Sequence, residues 1–140
     1  MAELNIIEKV IALEAVDLLK NLSAEQLSRI ASIAKEVRYG PGRMIISSDT
    51  TLDGLYVILE GAVSIAREGI ELHVAKEHEV LGAWALFDPE PMSVTAKTIE
   101  DTRVLSIGRD DFYDLLSDNT EITASIFAML VKRFRQLVER

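Results

Sequence analysis

Residues 81–98 read LGAWALFDPEPMSVTAKT, which predicts a strand end, a glycine turn, a short helix, an acidic loop and a returning strand. Gly82 permits a tight backbone turn that a residue with a Cβ would resist, and residues 83–86 can then begin a short helix. The first N–H groups of such a helix have no partner within it, and this arrangement commonly binds anions. We therefore expect any ligand of this protein to lie at this stretch.

Short β-rich runs separated by turn residues lie on both sides of this stretch. The predicted strands are residues 43–47, 55–59, 62–66, 71–75, 80–81, 94–98 and 103–107. A parallel sheet would need helices between its strands, and strands this short at such regular spacing leave no room for them. The spacing therefore predicts a small barrel or roll.

Apolar residues at helical spacing occupy both ends of the chain. Residues 4–19 are loosely periodic, and Ser23 with Gln26 forms a capping-box pattern for a second helix that should stop near Glu36. The sequence YGPG at residues 39–42 is typical of a turn. Beyond the roll, residues 110–116 predict a short helix and residues 122–138 a long one with a wide apolar stripe.

Composition restricts the class of protein. The chain has 140 residues, 49% hydrophobic and 27% charged, which is typical of a soluble globular domain without a membrane-spanning segment. The absence of Cys excludes disulfides and thiolate chemistry and fits a reducing cytosol, and the N-terminus lacks the pattern of a secretion signal, so we expect a cytoplasmic protein. A net charge of −8 argues against nucleic-acid binding. We expect the C-terminal cations to form a solvated helix face: Lys132, Arg133, Arg135 and Arg140.

No group of residues favours enzymatic chemistry. The spacing of His73 and His78 fits neither one strand face nor a helical pair, so we expect both at the surface or a sheet edge rather than on a metal. No serine stands in a glycine-flanked elbow, and the acidic pair at Asp110 and Asp111 is better suited to capping a helix. The single Trp84 could stack on a base, but its place in an apolar helix favours core packing. The sequence therefore predicts neither an enzyme nor a bound cofactor.

Three further segments carry recognisable patterns in a fixed order. They are YGPGRMI at residues 39–45, DGLYVI at residues 53–58 followed by Gly61 and Val63, and DTRVLSI at residues 101–107 followed by Asp111-Phe112. The first two fit Y-x-P-G-x-x-I and D-x-L-Y-x-I-x-x-G-x-V. Together with the order of elements, they resemble the cyclic nucleotide-binding domain family, which includes the β-roll modules of the catabolite activator protein, cyclic-nucleotide-dependent kinases and gated channels.

This resemblance covers roughly residues 16–135 and implies an α+β fold that is mainly β. The implied centre is a roll of the jelly-roll or double-stranded β-helix type, flanked by N-terminal helices and a long C-terminal helix. We expect one domain over residues 1–140, with helices at 1–36, the roll at 37–108 including the cassette at 81–98, and helices at 109–140.

The family's phosphate-binding cassette runs F-G-E-[LI]-A-L, a variable loop, then P-R-x-A-T, and here two of its positions are replaced. Ala83 stands where the resemblance implies a Glu that accepts a ribose hydroxyl, and Met92 stands where it implies an Arg that pairs with the cyclic phosphate. The matching positions are Gly82, Ala85, Leu86, Pro91 and Thr95, with Leu81 and Trp84 as apolar substitutes. The implied ligand-binding set is Gly82, Ala83, Trp84, Ala85, Met92, Ser93 and Thr95.

Loss of the two anchors should weaken nucleotide binding strongly. Charge-assisted hydrogen bonds contribute on the order of 1.5–3 kcal/mol each, so losing both predicts a loss of roughly 3–6 kcal/mol, about two to four decades of affinity. One hypothesis is therefore a regulatory or interaction module whose pocket Met92 fills, with Trp84 adding bulk. The alternative hypothesis is a sensor that binds cAMP, cGMP or another small anion through the backbone of residues 82–85.

The family resemblance also predicts which partners the protein has. The resemblance implies a protein partner or a further domain of a parent chain, and because residues 1–140 contain no helix-turn-helix pattern we expect no nucleic-acid partner. In the activator-protein branch the long C-terminal helix pairs with its twin, so a homodimer through residues 122–138 is expected. The residues expected at that seam are Ile122, Ile126, Met129, Leu130, Phe134 and Leu137, although the same stripe can also pack on its own roll.

Overall fold

The computed structural model describes residues 4–47, 53–87 and 94–139, without the side chains of Trp84 and Ala85. The helices in these ranges are α1 (Ile6–Leu13), α2 (Ala24–Ala31), α3 (Arg109–Asp118) and α4 (Thr120–Val138). The same ranges contain two short 3-10 helices. We call the one at Asp17–Leu19 the first 3-10 helix and the one at Ala83–Leu86 the cassette helix. The strands are β1 (Lys35–Tyr39), β2 (Met44–Ile46), β3 (Gly54–Glu60), β4 (Val63–Arg67), β5 (Ile70–Ala75), β6 (Val80–Leu81), β7 (Thr95–Thr98) and β8 (Thr102–Gly108).

Two antiparallel sheets form the roll, with strand orders β1-β8-β3-β6 and β2-β7-β4-β5. The pairing of β3 with β8 runs from Gly54 opposite Gly108 to Glu60 opposite Arg103, with an irregularity after Ile58. The predicted fold, a mainly β roll flanked by N-terminal helices and a long C-terminal helix, is confirmed. In the described part of the chain, no helix is both long and apolar enough to cross a membrane.

The first sheet separates two hydrophobic cores because successive side chains of a strand point to opposite faces. Leu55 and Leu105 belong to the core that the sheet shares with the helices, whereas Ile58 and Val104 belong to the interior of the roll. The helices contribute Leu13, Ile30, Phe112, Ile122 and Ile126 to the first of these, which we call the helix-side core. The sheet therefore connects the roll interior to the helices on its outer face.

The N-terminal boundaries differ from the sequence prediction. The capping box at Ser23 and Gln26 is confirmed, with Gln26 N donating to Ser23 Oγ at 3.1 Å and Ser23 N donating to Gln26 Oε1 at 3.0 Å. The expectation that this helix continues to near Glu36 is wrong, because α2 ends at Ala31 and Glu36 lies in β1. Three of the five β1 residues are charged, so the strand is held by its pairing with β8 rather than marked by alternating apolar residues.

The first predicted helix is also shorter than expected. Residues 4–19 were predicted as one helix from their apolar spacing. The structure instead has two helices here: α1, which ends at Leu13, and the first 3-10 helix. Val16 lies between them in an extended conformation (φ −83°, ψ 113°) and is buried. Burial of Val16 and Leu19 on different turns produces an apolar spacing that resembles one continuous helix in the sequence.

The apolar stripe of α4 divides into two faces. Ile122, Ile126 and Met129 are buried in their own chain, so their assignment to a dimer seam is wrong. The expectation that the stripe packs on its own domain is confirmed for these three residues. A second set, which we call the outer face of α4, is exposed to solvent and consists of Phe127, Val131, Phe134 and Val138.

Candidate ligand-binding site

The predicted cassette begins where β6 ends. Leu81 pairs with Tyr56 of β3 and is buried in the roll interior. Gly82 follows with φ of 76°, a left-handed conformation that L side chains rarely adopt, so the sequence requirement for glycine is confirmed here. The cassette helix starts at the next residue, as the sequence predicted.

The cassette helix leads from one core to the other. Leu81 before it belongs to the roll interior, and Leu86 at its end is buried in the helix-side core. Phe87 follows, and its ring packs edge-on against the ring of Phe112 in α3, with centroids 6.1 Å apart and an interplanar angle of 75°. The turn after the cassette helix is therefore fixed to α3, and this contact was not foreseen from the sequence.

Ala83 occupies the first position of the cassette helix, where the family resemblance implies a glutamate. Its side chain is partly buried and packs against the helix-side core. A methyl group can neither accept a hydrogen bond nor carry charge, so this position gives a ribose hydroxyl no acceptor. Apolar packing replaces polar recognition at this position.

Side chains at both ends of the returning strand β7 hydrogen-bond to other parts of the roll. Thr95 lies at its start, half-buried, with its Oγ1 donating to the carbonyl oxygen of Ala66 at 3.4 Å. Thr98 at its end is buried, donates from Oγ1 to the carbonyl of Gly40 at 2.7 Å, and accepts from Arg43 N at 2.8 Å. Thr98 was not among the residues predicted for the site. Its position three residues after Thr95 in a strand, with apolar Ala96 between them, offered only a weak signal.

Part of the predicted site lies outside the described residues. Met92 and Ser93 lie outside the described residues, as do the side chains of Trp84 and Ala85. The expectations that Met92 fills the phosphate position and that Trp84 packs in the core therefore stay predictions. Of the candidate set, the structure brings Gly82 and Ala83 together at the cassette helix and places Thr95 on the returning strand.

Tyr56 lies on β3, beside the strand that leads into the cassette, and Tyr39 lies on β1 of the same sheet. Burial raises the pKa of Tyr56, and nearby Tyr39 and Asp53 act in the same direction, while a hydrogen bond with Ser106 opposes them. The pKa of Tyr39 is also raised, chiefly by burial and then by Asp53. Both phenols are therefore neutral at physiological pH and supply no charge to a ligand.

The histidines lie at the surface, as predicted. His73 is on the edge strand β5, and its Nε2 lies 2.7 Å from Glu79 Oε1. This contact is the largest cause of the lowered pKa of Glu79. His78 is exposed in a turn with φ of 72°. Within residues 4–47, 53–87 and 94–139, no three His, Cys, Asp or Glu side chains are grouped as metal ligands would be.

Comparison with known proteins gives matches over most of the chain. A CRP-like cAMP-activated global transcriptional regulator from Mycobacterium tuberculosis is 29% identical over 117 residues, which are 78% of this chain and 52% of the relative. A cAMP-dependent protein kinase regulatory subunit from Aspergillus niger is 32% identical over 114 residues, 79% of this chain and 27% of the relative. The chain thus spans about half or less of these relatives.

The fold and the family model agree with these relatives. The N-terminal domain of a transcriptional regulator from Streptomyces coelicolor superimposes with a TM-score of 0.84 and 25% identity, covering 90% of this chain and 94% of that one. The model of the cyclic nucleotide-binding domain matches residues 36–119, more than half of the sequence. The chain therefore belongs to the cyclic nucleotide-binding domain family.

Proposed function

We propose that this chain is a regulatory or interaction module of the cyclic nucleotide-binding type that does not bind cAMP or cGMP tightly. The observation that carries the proposal is the packing of Ala83 against the helix-side core at the first position of the cassette helix. A glutamate there would need a partner for its charge, and an alanine stabilises the same turn by apolar contact. Met92, at the position of the expected arginine, adds the second missing anchor.

A second candidate function is a sensor for a cyclic nucleotide or another small anion bound through backbone N–H groups. The left-handed conformation of Gly82 and the cassette helix after it favour this candidate, because the backbone shape of the cassette is retained. Backbone donors compete poorly with water unless a cation neutralises the ligand. We therefore place this candidate second.

The two candidate functions predict different affinities for cAMP and cGMP, which calorimetric titration of the whole chain measures. The first predicts no binding at micromolar concentration, and micromolar affinity for either nucleotide would contradict it. The double variant Ala83→Glu with Met92→Arg restores both anchors. It should gain measurable cAMP affinity if the anchors alone are missing, and none if side chains also fill the pocket.

A matched control separates charge from size in this experiment. Ala83→Gln with Met92→Gln introduces side chains of similar length without a carboxylate or a guanidinium. A gain of nucleotide affinity in the control equal to that in the charged variant would show that size, rather than the anchors, limits binding. Circular dichroism of each variant confirms that the roll is retained.

The partner of the module is proposed to be another protein surface. The relatives named above contain roughly as much or more sequence outside the matched part, so we infer that a further domain or protein responds to this module. We infer a non-catalytic role because those relatives are named as a transcriptional regulator and a kinase regulatory subunit. A chain without Cys and with net charge −8 fits a cytoplasmic location without nucleic-acid contact.

We also infer a homodimer through α4. The outer face of α4 carries Phe127, Val131, Phe134 and Val138 at alternating spacings of four, three and four residues, which is the a/d spacing of a two-stranded coiled coil. All four are more than half exposed within one chain. A second copy of the same helix offers the complementary apolar seam and would remove all four side chains from water.

A further inference from the structure

A cavity of about 680 Å³ lies between the cassette helix and α4. Its walls come from three elements: the first 3-10 helix, the cassette helix with the turn after it, and the C-terminal half of α4. The apolar side chains that line it are Leu18, Ala83, Phe87, Leu130 and Leu137. Pockets of roughly 300–1,000 Å³ with mainly apolar walls and few polar groups are typical sites for small molecules.

The α4 side of this cavity continues the buried face of the helix. Leu130, Arg133 and Leu137 follow Ile126 at helical spacings of three and four residues, so all four share one face. Ile126 is buried, whereas Leu137 is 65% exposed, so the core face extends beyond the core that covers it. The outer face of α4 lies roughly 100° around the helix axis from this face, and its four residues do not line the cavity.

The charged groups of the cavity neutralise each other. Arg133 donates from Nη2 to Asp17 Oδ1, an ion pair that joins α4 to the first 3-10 helix. Its Nη1 lies 3.4 Å from Gln136 Oε1. A phosphate or carboxylate entering here would have to displace Asp17 from Arg133 and would then lie close to an unpaired carboxylate. An uncharged molecule meets no such cost.

We propose that this cavity binds an uncharged, largely apolar small molecule that joins the cassette helix to α4. The ligand contacts Ala83 and Phe87 on one side and Leu130 and Leu137 on the other, and it covers apolar surface that is now partly exposed. This inference goes beyond the proposed function, because it concerns an uncharged ligand between the cassette helix and α4, although the two proposals share Ala83. Binding of a cyclic nucleotide by the cassette would not contradict the proposal of an apolar ligand.

The direct test uses the neutral fluorophore N-phenyl-1-naphthylamine, whose emission rises in apolar surroundings. The wild-type chain should bind it saturably with one site per chain, and 1-octanol should displace it at concentrations at which octanoate does not. Non-saturable binding would overturn the proposal. Stronger displacement by octanoate would overturn the assignment of an uncharged ligand.

Two variants test whether the probe binds in the cavity. Ala83→Phe fills the space from the cassette side and should weaken probe binding by about tenfold or more, which is roughly 1.4 kcal/mol or more. Leu137→Ser makes one wall polar at an exposed position, so it tests the same site even if Ala83→Phe fails to fold. Unchanged binding in the folded variants would overturn the proposal.

The matched control is Val131→Ser on the outer face of α4, which removes an apolar side chain of the same helix outside the cavity. It should bind the probe as the wild type does, and loss of binding in this control alone would place the probe on the outer face and overturn the proposal. Cyclic AMP is added in a separate arm. Micromolar cAMP binding with the probe retained would contradict the proposed function and support a separate apolar site.

Discussion

The carboxylate of Glu36 in β1 accepts two hydrogen bonds from the guanidinium of Arg103 in β8, at 3.2 Å from Nε to Oε2 and 3.3 Å from Nη2 to Oε1. The same carboxylate accepts from Arg38 Nε at 3.0 Å and from the backbone N–H of Leu4 at 3.3 Å. The Glu36 side chain is only 7% exposed. One carboxylate thus joins the edge strand of the first sheet, its neighbour and the segment before α1.

Removal of this charge should destabilise the fold. Glu36→Gln keeps the shape but leaves the partly buried Arg103 with only the exposed Glu60 as an opposite charge, so we expect the free energy of unfolding to fall by about 2–3 kcal/mol. Urea denaturation monitored by circular dichroism measures it. The control is Glu60→Gln, because Glu60 also pairs with Arg103, at 3.3 Å, but is 58% exposed and should cost well under about 1 kcal/mol. Equal losses in the two variants would contradict this account.

The same group predicts how stability depends on pH. Hydrogen bonding to Arg103 is the largest cause that lowers the pKa of Glu36 from 4.5 to about 2, while burial opposes it. The folded-state pKa is depressed, so the contribution of Glu36 is fully present above pH 4.5 and is lost as the pH falls through the window down to about 2. Unfolding measured between these limits should show a steeper loss for the wild type than for Glu36→Gln, and parallel curves would contradict the assignment.

A backbone prediction concerns Gly61, which connects β3 to β4 with φ of 109°. A Cβ there would meet Thr102 Oγ1 at 2.5 Å and the carbonyl oxygen of Asp101 at 2.6 Å. Gly61→Ala should therefore lower the free energy of unfolding by more than about 1–2 kcal/mol, through conformational strain and collision together. Gly40→Ala is the control, because a Cβ at Gly40 meets no atom within 4 Å and its φ is not positive. Similar denaturation midpoints for the two variants would refute the prediction.

The contact between Phe87 and Phe112 predicts how firmly the end of the cassette helix is attached. Phe112 is 1% exposed, so Phe112→Ala should cost about 3–5 kcal/mol, whereas Phe87→Ala at 39% exposure should cost much less. A double-mutant cycle isolates the edge-on ring contact, which we expect to contribute about 0.5–1.5 kcal/mol. The readout is chemical denaturation of the wild type, both single variants and the double variant. A coupling energy of zero would mean that α3 does not hold the turn after the cassette helix.

Local signals in the sequence were sufficient for most of the fold. Ser23 and Gln26 predicted a capping box, Gly82 a left-handed turn, and alternating apolar residues the strands on either side, because each depends on neighbours in the sequence. Strand β1 was missed because its charged residues are satisfied from distant positions, as in the pair of Glu36 with Arg103. Such pairing leaves no local pattern.

For the candidate site too, the features set by neighbouring residues were predicted and those set by distant residues were not. The position of Ala83 at the start of the cassette helix followed from the local sequence, and so did the need for glycine before it. The apolar cavity did not, because Leu18, Phe87 and Leu137 come from three separate parts of the chain and meet only in the folded protein. The pairing of Asp17 with Arg133 was hidden for the same reason.

The two faces of α4 give the last prediction, which concerns assembly. If the outer face pairs with its twin, sedimentation and light scattering at tens of micromolar should give twice the chain mass of 15.6 kDa. Val131→Arg places two cations opposite each other at the centre of the seam and should produce a monomer, because like charges are costly where water is excluded. The control is Ile70→Arg, at an even more exposed apolar residue on the edge strand β5, which should remain dimeric. A monomeric wild type, or dissociation by both variants alike, would contradict the seam and leave the outer face of α4 for a different protein partner.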